Sequence, residues 1–147
     1  MQTLTRQFTI TCNTSNLQEM RQNLQELFDE RKISVRESSL IVHAADEALS
    51  AIMLHANETG SHGDIHITID INDVRCSITI DDNTGVYELN GNGGATLNEL
   101  LTSVSKLKKY QISLLMMQEI LDEIYYNFKK GFQNELILIK FLSTKKD

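Results

Sequence analysis

The sequence predicts an α+β fold, a two-layer sandwich with a mixed, mostly antiparallel sheet and helices on one face. Three observations carry that prediction. Alternating isoleucines mark a β-hairpin at mid-chain, two capped helix-periodic segments separate it from an N-terminal strand, and a second helix pair and strand pair follow it. The order is strand, helix, helix, hairpin, loop, helix, helix, hairpin.

Length and composition fit this class. The 147 residues, 41% hydrophobic and 23% charged, suit one domain spanning 1–147. The chain has no proline, where average usage would give roughly seven. That excludes Pro-rich linkers, PxxP ligands and most disordered-tail architectures. With 14 Lys+Arg against 20 Asp+Glu the formal charge is −6, which phosphate backbones and anionic lipid would repel, so a nucleic-acid-binding module is disfavoured. The apolar runs are strand-length, and MQTLTRQFTI lacks a basic region followed by an apolar segment and a cleavage site, so a soluble, cytoplasmic protein is expected. Cys12 and Cys76 form no CxxC and have no histidine at zinc spacing. They read as reduced, mostly buried thiols, with no structural metal.

Each element follows from its period. Residues 4–12 alternate Leu4, Arg6, Phe8, Ile10 and Cys12 against threonines and Gln7, the pattern of a strand with one mostly apolar face. Ser15 with Gln18 makes a capping box for a helix bearing Leu17, Met20, Leu24, Leu27 and Phe28 and running to about Arg31. Ser34 with Glu37 makes a second box, and its helix continues to about Ala56 before Asn57, Gly60 and Gly63. In residues 64–82, Ile65 to Ile71 and then Val74 to Ile80 alternate across the pair Asn72-Asp73, a two-residue hairpin. A polar, Gly-bearing stretch follows, then a helix opened by Thr96 and Glu99 and closed by Lys106, Lys108 and Lys109, whose charges complement its dipole. ISLLMMQEIL gives a last, strongly apolar helix to about Asp122, and strands near 123–128 and 135–142 flank a turn at Lys129, Lys130 and Gly131.

Two carboxylates stand out from this frame. Extending the hairpin alternation past Ile80 places Asp82 on the apolar face, where an unpaired carboxylate would cost several kcal/mol. In the second helix His43, Glu47, Ala51 and His55 fall at successive i, i+4 positions and form one ridge. HAADE lacks the paired histidines of a zincin, so a metal on this ridge is not expected. Periodicity alone also accommodates Glu47 as a solvated helix residue and His55 as part of the C-terminal turn.

The segments DEALSAIMLHA (46–56), ITIDDNTGV (78–86), SLLMMQEILDEIYY (113–126) and ELILIKFL resemble the ATP-binding fold shared by gyrase, heat-shock chaperones, histidine kinases and mismatch-repair proteins. Length and element order are most similar to the stand-alone anti-sigma-factor serine kinases of bacterial partner-switching systems, over roughly residues 4–142. The resemblance implies a catalytic role for Glu47, which matches the acid that orients or deprotonates the attacking hydroxyl. It implies cofactor-binding positions at Asp82, which accepts the adenine amino group, at His55, which closes the helix motif, and at Gly85 and Ser113. Residues 86–109 match the mobile lid, where Gly91, Gly93 and Gly94 supply flexibility or backbone amides for phosphate. A hydrogen bond from the base to a charged Asp82 would contribute about 1.5–3 kcal/mol.

The departures are equally specific. Where the family has a Mg²⁺-ligating Asn four residues after the acid, this chain has Ala51, which coordinates nothing. The family's Asp-x-Gly-x-Gly reads Asp82-Asn83-Thr84-Gly85-Val86, with Gly85 one residue out of register, and its later Gly-x-Gly reads Gln111-Ile112-Ser113. Each Cβ at a position needing close approach or positive φ costs about 1–2 kcal/mol. With Gly85 serving for one of the four filled positions, three such losses remove roughly two to four decades of affinity. Ser113 at a helix N-terminus could meet an anion in partial replacement.

Three functions follow as expectations. The first is a regulatory binding protein with weak or lost ATP and Mg²⁺ binding that sequesters a protein partner. The second is an active serine kinase whose phosphate site is rebuilt from Gly85, Gly91 to Gly94 and Ser113. The third is a structural or oligomerisation domain in which Asp82 caps a buried loop. The resemblance implies a sigma factor and an anti-anti-sigma factor as partners, and a homodimer along the sheet edge or first strand, with no direct nucleic-acid or membrane contact.

Overall fold

The computed structural model describes residues 3–59, 63–82, 119–128 and 134–143. The elements in chain order are β1 (Leu4–Thr11), α1 (Asn16–Glu30), α2 (Val35–Thr59), β2 (Asp64–Ile71), β3 (Arg75–Asp82), β4 (Glu123–Phe128) and β5 (Asn134–Phe141). The strands form one sheet in the order β1-β2-β3-β5-β4. All four pairings are antiparallel, the limiting case of the mostly antiparallel sheet expected from the sequence. The helix expected at 96–109, most of the helix ending near Asp122 and the turn at 129–131 lie outside the described residues. Of the last helix, Glu119 and Ile120 are helical, and Leu121 and Asp122 lead straight into β4.

The core lies between one face of the sheet and the two helices. Ile65, Ile67, Ile69 and Ile71 of β2 and Cys76, Ile78 and Ile80 of β3 point into it, against Met20, Leu24 and Phe28 of α1 and Ala44, Ala48 and Ile52 of α2. The strict two-residue period of the hairpin dictates this, since every second side chain must face the helices.

Three expectations are corrected at the turns. The hairpin loop is Asp73-Val74, one residue later than expected: Ile71 pairs with Cys76, and the Asn72 amide donates to the Arg75 carbonyl at 3.0 Å. The cause is the Asn72 side chain, whose Oδ1 accepts from the amides of Val74 at 2.8 Å and Arg75 at 3.0 Å, a local turn that competes with the ladder. Val74 consequently leaves the apolar face and is 64% exposed. The box at Ser15 does not form, because Ser15 has helical φ/ψ and makes no side-chain cap. Its amide instead donates to Asn13 Oδ1 at 2.9 Å. Finally, α2 continues three residues beyond Ala56, to Thr59.

The other helix boundaries follow capping rules closely. Arg31 caps α1, Lys32 adopts φ 58°, its amide donates to the Asp29 carbonyl and that of Ile33 to Phe28. This is a Schellman motif with lysine in the place usually held by glycine. At the start of α2 the Glu37 amide donates to Ser34 Oγ at 3.2 Å, while the Ser34 hydroxyl donates to Glu37 Oε1 at 3.1 Å. The same carboxylate accepts the Ser143 amide at 2.8 Å and hydroxyl at 3.0 Å, which fastens the chain after β5 to the head of α2.

Candidate functional site

Topology brings Asp82 and the end of α2 to the same end of the sheet. The chain runs along β1, back through α1, forward through α2 and back again in β2, so α2 ends where β2 begins. Ile65, the second residue of β2, pairs with Asp82, the last residue of β3. Ile10, Ile65, Asp82 and Asn134 therefore form one row across four strands. The C-terminal turns of α2 and the end of β3 share this edge.

Asp82 has the orientation its parity predicts. It is 1% exposed, and Ser38 is the other polar residue among the buried ones described. Its carboxylate stands on the helix-covered face, in sequence with Cys76, Ile78 and Ile80. An acceptor held in so apolar a setting is strong toward a donor with matching geometry.

Glu47 and Ala51 are half-buried, and His43 is exposed. At about 100° per residue, Glu47 and Ala51 lie some 100° and 140° around α2 from Asp46. Asp46 faces α1, because it accepts from Arg21 Nη1 at 2.6 Å. The Glu47 ridge is thus on the flank of α2 away from α1. Glu47 stands about 18 Å before the end of the helix, and the ridge descends from it toward the Asp82 edge. His55 is in α2 by its backbone, and its side chain lies outside the described residues. Gly85 and Ser113, the lid glycines 91, 93 and 94, and the flanking Thr84, Val86, Gln111 and Met116 also lie outside them.

Sequence reading missed one neighbour of Asp82. Cys12 was expected only as a buried thiol, yet it stands close enough to this edge for its acidity to register the site. Partial burial pushes the Cys12 thiol up, the charges of Asp82 and Asp64 act the same way, and a hydrogen bond with the Gly63 backbone opposes them. The signal was present in the alternation, since Cys12 follows Ile10 by two residues and so continues the same face. Cys76 is buried, and burial followed by Asp70 pushes it up to about 12, so it is inert as a nucleophile. Both cysteines are free.

The sequence matches the histidine kinase-like ATPase domain over residues 10–140. The chain belongs to that family. No curated protein matches this sequence. Histidine kinase-like ATPase domains are kinase-like or regulatory ATPases and generally bind ATP with Mg²⁺. The residues present fit the two ends of such a ligand unequally. Asp82 is a buried acceptor, the chemistry that a base amino group requires. At the metal end, Ala51 presents a methyl, and no group of three or more His, Cys, Asp or Glu converges among the described residues. Among the described residues no helix is long and apolar enough to cross a membrane. A groove of about 330 Å³ between β1 and α1, lined by Arg6, Phe8, Asn23, Glu26, Leu27 and Glu30, touches neither Glu47 nor Asp82.

Proposed function

We propose that this histidine kinase-like domain is a cytoplasmic regulatory protein of the bacterial anti-sigma type, which binds a sigma factor or an anti-anti-sigma partner and has weak or lost ATP binding. The observation that carries this proposal is Ala51. It occupies the ridge position four residues after Glu47 on the flank of α2 that α1 leaves uncovered, and it offers no oxygen to a metal. The filled glycine positions at Thr84, Val86, Gln111 and Ser113 act in the same direction. The acidic balance suits a protein partner with basic regions, where charge raises the association rate. A homodimer along the sheet edge or first strand belongs to the same proposal.

Asp82 favours a second function, an active serine kinase that phosphorylates an anti-anti-sigma factor. Its buried carboxylate keeps the acceptor an adenine ring would need, with Glu47 as the general base, Gly85 and Ser113 toward the phosphates and His55 closing the helix motif. Mg²⁺-dependent ATP hydrolysis by the full chain separates the two. The regulatory function predicts turnover at the level of a protein-free blank, unchanged in Glu47→Ala. Turnover above the blank that Glu47→Ala abolishes would contradict the regulatory function, and phosphate transfer to a serine of a small partner protein, lost in Glu47→Ala, would establish the kinase instead.

A further inference from the structure

The face of the sheet turned away from the helices divides into two unlike halves. Over β1, β2 and the centre of β3 it presents small polar side chains such as Thr9, Thr68 and Thr79. Along β5 it becomes apolar, because Ile137, Ile139 and Phe141 recur at every second residue, and Tyr125 of β4 sits directly opposite Ile137. Ile139 is buried at 6% and Ile137 half-buried, so the accessible part of the stripe is Tyr125, 49% exposed, and Phe141, 48% exposed, a condition typical of aromatics that anchor interfaces. Carboxylates frame the stripe. Glu123 pairs with Ile139, Glu135 precedes Ile137 by two residues, and Asp81 lies opposite Glu135. Asp64 and Asp70 extend the acidic field across β2. Arg75, opposite Phe141, is the one Lys or Arg of this face among the described residues.

We infer that this apolar stripe and its carboxylates dock a basic protein segment whose Lys or Arg side chains flank apolar ones. The inference rests on the proposal that the chain acts by holding a protein partner, and it adds where the partner sits. Charge complementarity selects the occupant. A nucleic acid or an anionic membrane would bring phosphates against these acids, and a second copy of the chain would set carboxylate against carboxylate.

The test follows the backbone amide resonances of the full chain during titration with a short synthetic peptide in which leucines are set between lysines. Shifts should centre on β3, β5 and β4, and affinity should fall as salt rises. The double variant Tyr125→Ser/Phe141→Ser should weaken binding by about tenfold or more, whereas Val35→Ser, an exposed position at the head of α2, should leave it unchanged. If the double variant loses its folded spectrum, Glu123→Gln with Glu135→Gln decides instead, with a loss of about threefold or more expected. The inference is overturned by equal affinity for the peptide with glutamate in place of lysine, by shifts centred elsewhere, or by unaltered affinity in the folded variant. Self-association of the chain that the double variant abolishes would also overturn it, assigning the face to a second copy. ATP turnover keeps the two failures apart: turnover dependent on Glu47 defeats the regulatory proposal, while blank-level turnover with a peptide that ignores this face defeats the docking surface alone.

Discussion

The two ends of the sheet are built differently. At the end where α1 finishes and α2 begins, hydrogen bonds fasten separate elements to one another. Glu37 holds Ser143, the Leu142 amide reaches the Val74 carbonyl at 2.8 Å, and Asp122 accepts the Phe141 amide at 2.6 Å with Lys140 Nζ at 3.6 Å. The Schellman turn at Lys32 closes the same end. At the opposite end, where α2 and β3 finish, an acid is buried among isoleucines beside a thiol whose acidity it depresses. The contrast teaches that stability and chemistry are divided along the strands. One end is fastened through caps and turns, and the other carries a buried carboxylate, the acceptor on which the proposed nucleotide site depends.

Substitutions can break this division, and the largest effect belongs to the fastened end. Phe28 is fully buried and lends its carbonyl to the Schellman turn, so Phe28→Ala should cost about 3–5 kcal/mol in urea unfolding. Glu37→Ala removes an N-terminal capping partner and the bonds to Ser143. A loss of about 1–3 kcal/mol is expected, with faster hydrogen exchange at the Ser143 amide. Lys32→Gly works in the other direction. Glycine adopts φ near 58° without a Cβ penalty, and the variant should gain about 1 kcal/mol.

At the Asp82 end the expected effects on stability are smaller and those on chemistry more informative. Asp82→Asn keeps the side chain's shape but replaces one acceptor oxygen with a donor, and should cost about 1–3 kcal/mol, less than Phe28→Ala. It should also speed alkylation of Cys12 by about two- to threefold at fixed pH. The sign follows from linkage: a carboxylate that raises the thiol's pKa lowers its thiolate fraction, and removing the charge restores it. Cys76 should resist the same reagent up to strongly alkaline pH. Its folded-state pKa is raised from 9.0 to about 12, so it contributes stability that is lost as pH rises through that window. Cys76→Ala should flatten the alkaline limb of the stability profile.

What could be read in the sequence divides along physical lines. The isoleucine alternation specified β2, β3 and the inward turn of Asp82, since a register slip would expose every isoleucine at once. The box at Ser34 and Glu37 was legible because capping is local. The hairpin loop was misplaced by one residue because the Asn72 side chain, invisible to periodicity, supplies the acceptor. The box at Ser15 failed because Asn13 reached the same amide first. The bond from Glu37 to Ser143 spans 106 positions, and no local pattern carries it. The burial of Asp82 was legible from parity and the alignment of Glu47 with Ala51 on one side of α2 from helical spacing, whereas the nearness of Cys12 required the pairing of β1 with β2.

Calorimetric titration of the full chain with ATP in the presence of Mg²⁺ tests the central claim most directly, because Ala51 and the filled glycines should act first on affinity. Binding weaker than micromolar, with no gain from the metal, is expected. Micromolar or tighter binding that requires Mg²⁺ would contradict it.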